Sequence, residues 1–141
     1  MSFRAVPLIV FALLFYNTIV FFPMFLEGSA SPGQILGTRV FEIGMIHGAP
    51  WEFTRGDFVV LLVLALLFVE LLKSTYTTAV SLLDHGLSML VFIACLVEFL
   101  MVRQAASSVF FFITIASLID VIAGYTIGIR TARRDLQIGS D

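Results

Sequence analysis

Four residues carry the chemistry this sequence offers: Glu70, His85, Glu98 and Asp120. Each lies in, or at the end of, a strongly apolar stretch. A charge at the centre of a bilayer costs about 2.5–3.5 kcal/mol on insertion scales, so such groups face a bundle interior, a partner or a water-filled path. Carboxyls in that setting exchange protons or small cations, and a histidine beside them titrates near neutral pH. No Walker loop, GxGxxG, CxxC, CxxCH or HExxH motif occurs. Two histidines, His47 and His85, and one cysteine, Cys95, do not complete an ordinary zinc site. Nothing in the residues points to catalysis, a cofactor or a metal centre, and a non-enzymatic protein is expected.

Composition sets the elements that must position these groups. Of 141 residues, 60% are hydrophobic and 13% charged, the mean hydropathy is +1.05 and the net charge is −2. An ordinary soluble domain is about 25% charged. So much apolar surface excludes water-soluble enzymes, nucleic-acid binders and disordered chains, and makes the lipid bilayer the first partner. A spanning helix needs about 20 mostly apolar residues. Four stretches meet that length: 5–26, 54–76, 82–102 and 107–129. Backbone groups in lipid must satisfy one another, so these stretches are helices. The alternation of a membrane β-barrel is missing. The expected fold is all-α, a single membrane domain over 1–141 forming an antiparallel four-helix bundle. Arg4 and the small residues Gly28, Ser29 and Ala30 have the look of a signal peptide. The uncharged run of 22 residues exceeds the usual apolar length of about 7–15, which favours a retained span.

Lysine and arginine in short loops set orientation. Arg4, Lys73, Arg130, Arg133 and Arg134 fall on one side, and Arg39, Arg55 and Arg103 on the other. Both termini, the turn after Lys73 and the tail 131–141 are therefore expected in the cytoplasm. The loop 27–53 then lies outside. Within it, Ser31, Pro32 and Gln34 have the form of a capping box with proline at the first helical position. Leu36, Val40 and Ile43 follow at helical spacing, and Gly44 suits a stop. A short amphipathic helix on the outer surface is expected, with Trp51 marking the chain's return to the interface.

Depth along each span, at about 1.5 Å per residue, orders the polar groups. Glu70 lies near the cytoplasmic end, with Lys73 one turn on and spaced for an ion pair. Asp84 and His85 open the next span at that depth. Asp120 falls near the midplane, where Asn17 of the first span is its expected partner. Glu98 lies near the outer end, within reach of Arg103. Ser117, Asp120, Gly124 and Gly128 form one stripe, whose GxxxG lets a second helix approach. Together with Asn17 they are the residues expected to pack helices. The 15 phenylalanines are read as lipid-facing or packing rings. A pigment or haem would want an axial histidine inside a span, and His85 sits at an end.

The E-x-x-K of Glu70 and Lys73 late in the second span, followed by His85 at the start of the third, resembles small four-span bacterial inner-membrane proteins of the phosphate-starvation-inducible type. The resemblance covers spans two and three. At Glu98 the chain departs from it, that family carrying a basic residue there. It implies the four-span fold and the inner-membrane location, and no catalytic residue. The functional expectation is a protein that assembles with itself or as an accessory subunit of a larger membrane complex. Its rivals are a small proton or cation carrier or channel using Asp120, Glu70 and Glu98, and a membrane sensor using the outer loop.

Overall fold

In the computed structural model, which describes residues 6–28, 30–76 and 82–138, the chain is mostly helical. The order is α1 (Ile9–Glu27), α2 (Pro32–Leu36), β1 (Arg39–Gly44), β2 (Pro50–Thr54), α3 (Arg55–Tyr76), α4 (Leu82–Met101) and α5 (Ser108–Ile138). A one-turn 3₁₀ segment, Arg103–Ala105, joins α4 to α5. Ile9–Leu26, Arg55–Thr75 and Ser108–Arg130 are long and apolar enough to cross a membrane. The described apolar part of α4, Gly86–Met101, is shorter than that.

Helix α5 is central: it packs on α3 and on α4, and α1 closes over α3 and α5. Ile9, Ala12, Tyr16 and Val20 line one stripe of α1. They meet Val59, Val63 and Leu67 of α3, Cys95 of α4, and Phe110, Ile113 and Ala116 of α5. The opposite faces are as apolar as the core, with Leu14, Leu61, Leu64, Leu90 and Ile122 all exposed. Helices that are apolar all round suit lipid rather than water. Helix α1 stops at Gly28, whose φ of +69° is left-handed and whose N–H donates to the Met24 carbonyl at 3.0 Å, a common helix ending. Helix α5 runs on to Ile138, so the expected tail begins as helix rather than leaving it near residue 129.

Residues 31–44 depart from the expected single amphipathic helix, and the fold is not purely α. The capping box does form: Ser31 Oγ accepts the Gln34 N–H at 3.3 Å, and Gln34 Oε1 accepts the Ser31 N–H at 2.9 Å. The helix nevertheless ends at Leu36. Arg39–Gly44 is a strand, antiparallel to Pro50–Thr54, with Phe41 opposite Phe53 and Ile43 opposite Trp51. Gly37 weakens any continuation of the helix. Beyond it, Phe41 and Ile43 also alternate at the period of a strand, and aromatic and β-branched side chains favour a strand once cross-strand partners exist. Phe53 stacks on Phe41 at 4.6 Å, and Trp51 meets Phe41 edge-on at 6.3 Å.

The hairpin turn closes through Gly48, at φ +88°, whose N–H donates to the Met45 carbonyl at 2.9 Å. A side chain there costs about 1–2 kcal/mol. Gly48→Ala is expected to speed hydrogen exchange of the strand amides by about tenfold, leaving α5 protected. Unaltered exchange would mean that the turn does not hold the hairpin.

No linker separates β2 from α3. The Thr54 N–H and hydroxyl both donate to Asp57 Oδ2, at 2.8 and 2.7 Å, and the Asp57 N–H donates back to Thr54 Oγ1 at 3.2 Å. This reciprocal cap, with an acidic residue in the first turn, starts α3 rigidly from the strand.

Candidate functional site

Glu70, near the end of α3, is 6% exposed. Its Oε1 accepts from Lys73 Nζ at 3.0 Å, which is the ion pair expected from their spacing. Its Oε2 accepts the Leu8 N–H at 2.9 Å, and Lys73 Nζ reaches the Val6 carbonyl at 3.4 Å. The pair therefore ties the start of α1 to the end of α3. A carboxylate is well placed there, because helix N-termini present N–H groups that no carbonyl of the helix can satisfy.

Asp120 of α5, 5% exposed, turns toward the same cluster. Ser88 of α4 is its polar neighbour, and Glu70 and Lys73 are its charged neighbours. Side chains from α3, α4 and α5 thus converge. The side chains of Asp84 and His85, expected at this depth, lie outside the described residues.

A second group of contacts follows along the bundle toward the hairpin end. Ser117, one turn before Asp120, donates its hydroxyl to the Thr114 carbonyl at 2.7 Å. Cys95 of α4 lies beside it. One turn further along α4, Glu98 engages the Asn17 side chain of α1. Asn17 Oδ1 and Glu98 Oε1 are buried, with no hydrogen-bond partner among the described residues. Tyr16, fully buried beside them, donates to the Gln104 carbonyl at 2.9 Å. Its oxygen lies 2.7 Å from Ser107 Oγ, and its ring stands edge-on to Phe110 at 4.9 Å.

Two expected pairings are corrected. Asn17 does not meet Asp120; it meets Glu98. Tyr16 anchors α1 to the segment joining α4 and α5, and this brings residue 17 level with the end of α4 rather than with the middle of α5. Glu98 forms no ion pair with Arg103 among the described residues, because the interior amide takes it inward while Arg103 stays exposed. Ser117 and Asp120 are buried within this one chain, as is Gly124, while Gly128 is half-buried.

Sequence reasoning missed Tyr16, Leu8 and the pairing of Cys95 with Ser117. A signal for Tyr16 was present: a phenol inside an apolar run needs a partner for its hydroxyl. Removing that hydroxyl leaves the Gln104 carbonyl and Ser107 without it. Tyr16→Phe is therefore expected to lower stability by about 1–2 kcal/mol, read from thermal unfolding in detergent. An unchanged midpoint would remove Tyr16 from the account.

At the hairpin end, a cavity of about 690 Å³ lies between α1, α2 and the start of α3, with Phe22, Leu26, Gln34, Thr38 and Arg55 in its wall. No protein family matches the chain, and neither the curated proteins nor the solved structures yield a match.

Proposed function

We propose that the protein is a non-enzymatic polytopic membrane protein, a small carrier or channel that passes protons through the interior of its bundle. In this reading α4 is the fourth span, both termini lie in the cytoplasm as the lysine and arginine distribution suggests, and the membrane is a bacterial inner membrane. One observation carries the reading: the buried Asp120 lies beside the buried Glu70, and the one ion pair these two carboxyls make among the described residues is that of Glu70 with Lys73. Among the described residues this cluster has two carboxyls and one cation, and these three groups are neutral together only when they hold one further proton or monovalent ion. A buried group of like charges without such compensation is costly.

The remaining contacts support a path. Ser88, Ser117 with Cys95, Glu98 with Asn17, and Tyr16 with Ser107 follow one another toward the hairpin end, and each can donate or accept. Among the described residues no three acidic, histidine or cysteine side chains gather closely enough to hold a metal ion. The test is purified protein in liposomes with a pH-sensitive dye inside and a potassium-diffusion potential across the membrane. Acidification faster than in protein-free vesicles is expected. Rates equal to theirs reject the reading.

A second reading keeps the protein as an assembling or accessory subunit. An apolar cleft of about 260 Å³ between α3 and α5, walled by Val60, Leu64, Phe112 and Ile119, supports it. Without a hydrophobic drive in lipid, helices associate by close packing, and such a cleft accepts a neighbour's side chain. Ile119→Trp fills the cleft and is expected to convert oligomers to monomers in native mass spectrometry. Monomers from the parent protein would reject self-assembly.

A further inference from the structure

We infer that the β-hairpin lies flat on the membrane at the start of α3, with its aromatic face in the lipid headgroup layer. This rests on insertion of α3 and is independent of proton movement. The register sets Phe41 opposite Phe53 and Ile43 opposite Trp51, so these four side chains share one face. Phe41, Ile43 and Trp51 are exposed, and Ile46 at the turn is fully so. Arg39 pairs with both Glu42 and Glu52, the latter at 3.4 Å, gathering charge away from the aromatic rings. A lone two-stranded hairpin is marginal in water and needs a cover for its apolar face.

Position identifies the cover. Trp51 is four residues before Arg55, hence within about 14 Å of the first residue of α3 at strand rise. Headgroups occupy about 5–8 Å on each side of the hydrocarbon core. A hairpin standing upright would carry Trp51 clear of that layer, and one lying flat keeps it within. Phe22 and Leu26 of α1 share the 690 Å³ cavity with Thr38 and Arg55, so the foot of the hairpin is level with the last apolar turns of α1. Phe22 and Leu26 are exposed there, and lipid must reach that level to cover them. Arg55, with no ion pair among the described residues, stands at the same level and suits a lipid phosphate. Tryptophan is itself an interface residue.

Trp51 is the one tryptophan in the chain, so its emission reports the hairpin alone. The experiment places the whole protein in phosphatidylcholine–phosphatidylglycerol vesicles. The phosphatidylcholine carries bromine either close to the headgroup or near the chain end, and iodide is added to the water. Strong quenching by shallow bromine, with weak quenching by deep bromine and by iodide, is expected. Ile43→Lys is expected to shift quenching toward iodide while the unfolding midpoint of the bundle holds. Quenching by iodide and not by bromolipid in the parent protein overturns the inference, because the hairpin then stands in water. An absence of both, with emission that changes as protein is diluted in lipid, overturns it in favour of cover by a second copy.

Discussion

Asp120→Asn is expected to give a folded, inserted protein whose proton flux falls to the level of protein-free vesicles. The amide has the shape of the carboxyl, so packing of α5 against α3 and α4 survives, and Ser88 keeps a partner. What is lost is the group that takes up and releases a proton beside Glu70. The substitution also removes a second carboxyl that lies beside the Glu70–Lys73 ion pair. Stability should therefore hold or rise slightly, since a buried charge without its own partner destabilises. Lost flux at equal or greater stability separates a functional role from a structural one, as sites that strain a fold for activity commonly behave. Asp120→Glu keeps a titratable group one methylene out of place and should keep part of the flux. Full flux in the asparagine variant would remove Asp120 from the path.

Glu70→Ala is expected to destabilise the chain more than any other single change at this site. It leaves Lys73 without its carboxylate and the Leu8 N–H without its acceptor, at 3.0 and 2.9 Å in the parent. Breaking a buried ion pair on one side costs about 3–5 kcal/mol. The Lys73 side chain is 27% exposed, and water screens part of that, so a loss of about 2–3 kcal/mol is expected. Adding Lys73→Met to the same variant should recover part of the loss, because the unpaired ammonium is then gone. A double-mutant cycle on thermal unfolding in detergent reads the coupling. Additive losses from the two substitutions would show that the pair does not act as a unit.

Three of the four expected spans, Ile9–Leu26, Arg55–Thr75 and Ser108–Arg130, were legible because length and apolarity follow from the thickness of the bilayer, whatever the packing. The Glu70–Lys73 contact was legible because both residues sit on one helix face at a fixed spacing. Partners on different helices were not legible in the same way. Counting depth from span ends assumes that helices start level and stand parallel, and it set Asn17 beside Asp120. The bond from Tyr16 to Gln104 sets a different stagger and brings Asn17 to Glu98. The hairpin escaped because Leu36, Val40 and Ile43 fit a helical period while Phe41 and Ile43 fit a strand, and the sequence of one segment does not choose between them. Trp51 and Phe53, several residues away, make that choice by supplying a partner strand.

In the proposed reading protons pass through this bundle by way of Asp120. The most direct measurement is the reversal potential of current across a planar bilayer holding the protein, under a pH gradient with sodium and potassium equal on both sides. That potential is expected to move by about 59 mV per pH unit, the value for a one-charge carrier, and the current to vanish in Asp120→Asn. A reversal potential that ignores pH and follows an imposed sodium or potassium gradient, or no current from the parent protein, would contradict it.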